Sequence, residues 1–271
     1  MADVEHNKAG DSGGGIGAFG ASSVDLMNAS NVNDNTAGSF GGGIFVRDNT
    51  RLLLIGKNRV RNNVARNGSG GGLAVWDNAD VRVIVDSSVE GNNAKEAGGG
   101  LQVCGQASVT INDSSVARNT VVNGSGGGLS VLGGAYVGMF LGIVYNNTCS
   151  GGPGGGIVVD IRDALPVSYT HGCNHALDTV GSGVRPLVNI SLGGVVNNTS
   201  NRSAGGGLAV GGNGVVVLGK GTSIVVNKAL NNSGGGVVLL GNGTLNCTDD
   251  LVQIQSINQC YTCSYEAQKA H

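Results

Sequence analysis

The chain has 271 residues, of which 51 are Gly and 3 are Pro, with 40% apolar and 4% aromatic residues and a formal net charge of −2. This much Gly without a Gly-x-y period excludes collagen, and the lack of a basic cluster argues against a nucleic-acid-binding chain. The apolar residues alternate with polar ones, unlike a disordered chain, and no run reaches the roughly 18 apolar residues of a membrane-spanning helix.

In chain order, residues 1–6 lack the apolar stretch of a signal peptide. Val4-x-x-Asn7 follows at once, and six residues after Asn7 comes Gly13-Gly14-Gly15. This pair of motifs then recurs along the chain. Triplets of Gly begin at Gly13, Gly41, Gly70, Gly98, Gly126, Gly154, Gly205 and Gly234. Their spacing is 28 or 29 residues, except from Gly154 to Gly205, where it is longer by more than twenty. A fixed period of this size marks a repeat architecture.

Each triplet opens an alternating apolar segment, such as Ile44-x-Val46, Leu73-x-Val75 and Leu101-x-Val103. A second follows a short turn: Leu52-x-Leu54, Val81-x-Val83-x-Val85, Val109-x-Ile111, Val137-x-Met139-x-Leu141 and Val215-x-Val217. Period-two alternation over so few residues predicts half-buried strands, and no helical pattern occurs. The third element is Val/Ile-x-x-Asn, at Val32/Asn35, Val60/Asn63, Val89/Asn92, Val116/Asn119, Ile143/Asn146, Val195/Asn198 and Ile224/Asn227. Units this small must stack to bury their apolar faces. The expected fold is therefore all-β, a parallel β-helix of about eight to nine coils with 28–29 residues per coil. It spans residues 1–246, with an insertion at about 160–184, and a Cys-containing segment fills 247–271. Asn7, Asn35, Asn63, Asn92, Asn119, Asn146, Asn198 and Asn227 are expected to form a buried amide ladder. The Gly triplets fit tight corners that need positive φ and little side-chain volume. No helix and no Lys-Ser/Thr follows any triplet, so they do not read as phosphate loops.

Gly-Gly-Gly-Leu/Ile in phase with Val/Ile-x-x-Asn resembles the GGA[ILV] plus FxxN repeat of the chlamydial polymorphic outer-membrane protein family. Similar repeats occur in secreted β-helix proteins of algae and other eukaryotes. The resemblance covers about residues 4–240; Gly replaces the Ala of the first motif, and Val or Ile replaces the Phe of the second. It implies a right-handed β-helix serving as a surface stalk or adhesin, with no catalytic residue to transfer. Because Val4–Asn7 already lies in register with Ile224–Asn227, the chain is expected to be a piece of a longer solenoid. A filament joined through open coil ends is one alternative that follows.

Asn-x-Ser/Thr sites point to export. Asn28, Asn67, Asn112, Asn123, Asn189, Asn201, Asn231, Asn242 and Asn246 are candidate glycosylation sites, whereas Asn146, Asn197 and Asn198 occupy or adjoin the ladder position. Cys149, Cys173, Cys247, Cys260 and Cys263 are disulfide candidates, with Cys149–Cys173 placed to tie down the insertion, and disulfides fit a secreted or cell-surface protein. His171-Gly172-Cys173-Asn174-His175 lacks further ligands, so neither a metal nor any other cofactor is expected. Asp48 with Asp77, and Asp86 with Asp113, are expected to stack about 5 Å apart, one strand spacing. Such a spacing suits a retaining glycosidase, yet Asp at a turn ordinarily bonds its own backbone. The expected function is a non-catalytic extracellular rod binding surface or matrix glycans, proteins or itself. A polysaccharide lyase or hydrolase is the enzymatic alternative.

Overall fold

The computed structural model describes residues 2–160, 184–249, 251–256 and 260–262. Among them every regular element is a strand, and the strands stack as a parallel β-solenoid of about eight turns. Coils are counted here from their triplets, so coil one begins at Gly13 and coil eight at Gly234.

Coil three shows how the sequence makes one turn. Leu73–Val75 forms the first face, Asp80–Ile84 the second and Ser88–Glu90 the third, and the two-residue strand Asn93–Ala94 completes the circuit. Each pairs in parallel with its counterpart one coil away; Leu73, for example, lies between Ile44 and Leu101. Leu73, Val75, Val81, Val83 and Val89 point inward and are fully buried. Complete burial of each such side chain contributes about 1.5–3 kcal/mol. Repeated coil after coil, these positions make one continuous aliphatic core.

Two features depart from simple alternation. The second-face strands stop at Ile84 and Phe140. Val85 and Leu141 instead turn outward at positive φ and stand exposed, because the corner begins there. The first face, in turn, is buried on both sides: Phe45, Ala74, Gln102, Ser130, Val158 and Ala209 point away from the core and are still covered. Part of that cover is the triplet corner. A Cβ on Gly70 would lie 2.9 Å from the Ala74 Cβ, so the corner packs directly on the outward column.

The triplet has a position-by-position logic. Gly70 sits at φ +67°, where a side chain is strained. A Cβ on Gly71 would approach the Asn93 carbonyl oxygen to 2.5 Å, and one on Gly72 would come within 2.9 Å of Asn92 Nδ2. The third Gly thus makes room for the ladder amide, which explains why the two motifs keep a fixed phase.

Past residue 246 the interior continues. Gln253–Ser256 adds to the third face in parallel, Val252 and Ile254 join the same core, and Cys260–Thr262 then pairs back antiparallel. His171, Cys173, His175 and nearly all of the expected insertion lie outside the described residues.

Candidate functional site

The Asn column is the most regular chemistry in the molecule. The Asn63 backbone N–H donates to Asn92 Oδ1 at 2.9 Å, and its Nδ2 donates to Asn92 Oδ1 at 3.0 Å and to the Val32 carbonyl at 2.9 Å. The same set recurs through Asn35, Asn92, Asn119, Asn147 and Asn198, beginning at Asn7 and ending at Asn227. Amide donors and acceptors inside the column are satisfied, which is what makes its burial affordable.

In coil five the ladder residue is Asn147, not Asn146. Asn119 donates to Asn147 Oδ1, and Asn147 to Asn198 Oδ1. Asn146 is exposed at φ 56°. The doublets Ile143-Val144 and Asn146-Asn147 make both registers readable from the sequence. Pairing of Ser115 with Ile143 places Val144 inward, and a one-residue slip exchanges the faces. The residue before each ladder Asn is left-handed in every coil: His6, Asp34, Asn62, Gly91, Arg118, Asn146, Asn197 and Val226.

A second polar column escaped the sequence reading. Ser30 N–H donates to Asn58 Oδ1 at 2.9 Å, Asn58 N–H to Ser87 Oγ at 3.3 Å, and Ser87 N–H to Ser114 Oγ at 3.3 Å. The Ser of each Asp-Ser-Ser turn was its only signal.

Asp48 and Asp77 do stack. Asp48 Oδ2 accepts the Gly20 N–H at 2.8 Å, and Asp77 Oδ2 accepts the Asp48 N–H at 3.4 Å, so each carboxylate braces the turn of the preceding coil. Asp86 and Asp113 are exposed at neighbouring corners, with the Asp86 N–H donating to the Asp113 carbonyl at 2.7 Å. Among the described residues no group of three or more His, Cys, Asp or Glu gathers in metal-binding geometry.

Asn28, Asn67, Asn112, Asn123, Asn231, Asn242 and Asn246 are exposed; Asn189 and Asn201 are half-buried and Asn198 is fully buried. Ser69 and Ser125, the hydroxyl residues of the Asn67 and Asn123 sites, are buried. Any sugar on those two Asn must be added before the coil closes.

Cys149 differs from expectation. It is a buried free thiol donating to the Gly152 carbonyl, beside Ala65, Ala94 and Val121. Burial pushes its pKa up to about 11. It therefore does not tie down the insertion. Cys247, a disulfide candidate, and Cys104, which is not among the candidates, are disulfide-bonded.

The aromatic residues also gather where no motif pointed. Phe45 lies 5.7 Å from Phe19 and 4.9 Å from Trp76, ring centre to ring centre, and Phe40 lies 4.7 Å from Trp76. Trp76 Nε1 donates to Gln102 Oε1 at 3.2 Å, and the Arg47 guanidinium sits 5.4 Å above Phe19. This cluster adjoins Asp48 and Asp77 on the outside of coils one to three.

No protein-family model matches the chain, and neither a curated protein nor a solved structure matches it significantly.

Proposed function

We propose that the chain is an extracellular, non-catalytic β-helix rod with a structural or adhesive role at a cell surface. The unbroken Asn column carries this reading. It commits one buried amide per coil to joining neighbours, the arrangement of a stiff spacer that presents identical columns of side chains along its length. Export is supported by the disulfide bonds of Cys104 and Cys247, which persist in oxidising compartments, and by the exposed sequon Asn residues. Kinship with the polymorphic outer-membrane protein repeat rests on the two motifs in phase. In this chain the third Gly of the triplet faces the ladder amide, so the replacement of Ala by Gly there relieves a close contact. The partners this reading implies are cell-surface or matrix glycans and proteins, or another copy of the rod.

A polysaccharide-cleaving enzyme is the second reading, favoured by the placement of Asp48 and Asp77 beside Trp76. One experiment separates the two. The purified chain is incubated with polyuronates and neutral glycans, with and without calcium, while binding and new chain ends are both measured. Binding without cleavage supports the adhesive rod. New chain ends abolished by Asp77→Ala or Asp113→Ala assign the chain to the enzymes.

A further inference from the structure

We propose that the outer surface of coils one to four binds a linear neutral polysaccharide, laid along the rod axis. This rests on the adhesive reading and names its ligand class. Among the described residues the main core is built from aliphatic side chains, Met and Cys, with no aromatic ring in it. Phe19 and Trp76 are instead placed outside, on coils one and three, as a ledge packed on the covered Phe45 of coil two between them. Phe19 is 49% exposed and Trp76 partly so. The bond from Trp76 Nε1 to Gln102 fixes the indole plane. Such a ledge presents apolar faces of the kind that sugar rings stack on, with polar groups at their edge.

Beside the ledge runs a row of exposed amides. Asn49, Asn78 and Gln106 occupy the same position on coils two, three and four. Their backbone N–H groups donate in series to the Gly20, Asp48 and Asp77 carbonyls. Each side-chain amide both donates and accepts, matching a sugar hydroxyl, which does the same. Successive amides stand about one strand spacing apart, roughly 4.8 Å, comparable to the length of one sugar unit. A periodic surface of this kind offers the same contacts to successive units of a linear polymer.

Charge selects the class. Arg47 is matched by Asp48 at 3.6 Å, and Arg82 by Asp80 at 3.3 Å. Among the described residues no basic side chain pairs with the Asp77 carboxylate, so the turn itself offers a polyuronate no unpaired cation.

Trp76 is the only Trp in the chain, so its fluorescence reports on this surface directly. The full chain is titrated with β-1,4-linked glucose and N-acetylglucosamine oligomers of increasing length. Emission is expected to change saturably, with affinity rising with length until the oligomer spans the row. The variant Asn49→Ala/Asn78→Ala/Gln106→Ala alters exposed turns only and should bind at least about tenfold more weakly, the equivalent of one good contact. An unchanged circular dichroism spectrum confirms its fold. Capture of neutral glycans that leaves Trp76 emission unchanged and survives the triple substitution overturns this site while the adhesive reading stands. Binding confined to polyuronates also overturns it. Failure to capture any glycan or cell-surface extract sinks the site together with the adhesive reading.

Discussion

Single residues separate ladder from surface. Asn119→Ala would strand the N–H and Nδ2–H of Asn92 and the Val89 carbonyl without partners. Unsatisfied buried groups of this kind cost about 1–3 kcal/mol each, so a loss of roughly 3 kcal/mol is expected by urea denaturation. Asn147→Ala should cost as much, whereas Asn146→Ala, on an exposed corner, should stay within about 0.5 kcal/mol. Equal losses at 146 and 147 would contradict the register. Cys149 supplies a pH dependence. Its folded pKa of about 11 lies above the ordinary 9.0, so folding favours the protonated thiol. The unfolded chain therefore loses its proton first, and stability falls as pH rises from 9.0 to about 11. Alkylation at pH 8 should label Cys149 only after denaturation, as mass spectrometry would show. Most of the ladder was legible because Val-x-x-Asn keeps constant phase with the triplet. It failed at Asn146, where doubled residues leave the register to strand pairing.

At the scale of the strand, the corners hold strain that alternation does not reveal. Val85 and Val226 adopt φ 57° and 60°, an unfavourable region for β-branched residues. Gly in their place relieves about 1 kcal/mol, so Val85→Gly and Val226→Gly should raise the thermal midpoint by a few degrees. A lower midpoint would mean that their exposed side chains make contacts worth more than the strain. The strands themselves were readable from Val and Leu at every second position. The burial of Phe45, Ala74 and Gln102 was not, since it depends on a corner folding back over the face. The aromatic ledge was hidden for a related reason. Phe19 and Trp76 share one repeat position, but Arg47 holds it on the coil between them, and they meet Phe45 only when the coils stack.

For the whole molecule, stacking makes each coil depend on its two neighbours. In this chain Asn7 bonds to one ladder neighbour, Asn35, whereas Asn119 bonds to Asn92 and Asn147. Asn7→Ala should therefore cost less than half of the Asn119→Ala loss. Hydrogen exchange should be slowest in coils three to five and faster toward both ends. Uniform protection would instead indicate one all-or-none unit.

The ladder also gives the rod an electrical direction. From Asn35 to Asn198 each Asn side-chain carbonyl faces the preceding coil, toward residue 1, and one Nδ2–H of each amide faces the next. The amide dipoles therefore point the same way and reinforce one another down the chain of bonds, as peptide units do along an α-helix. Strand dipoles in sheets largely cancel, so this single file of side chains makes the two ends of an otherwise repetitive molecule electrostatically unlike.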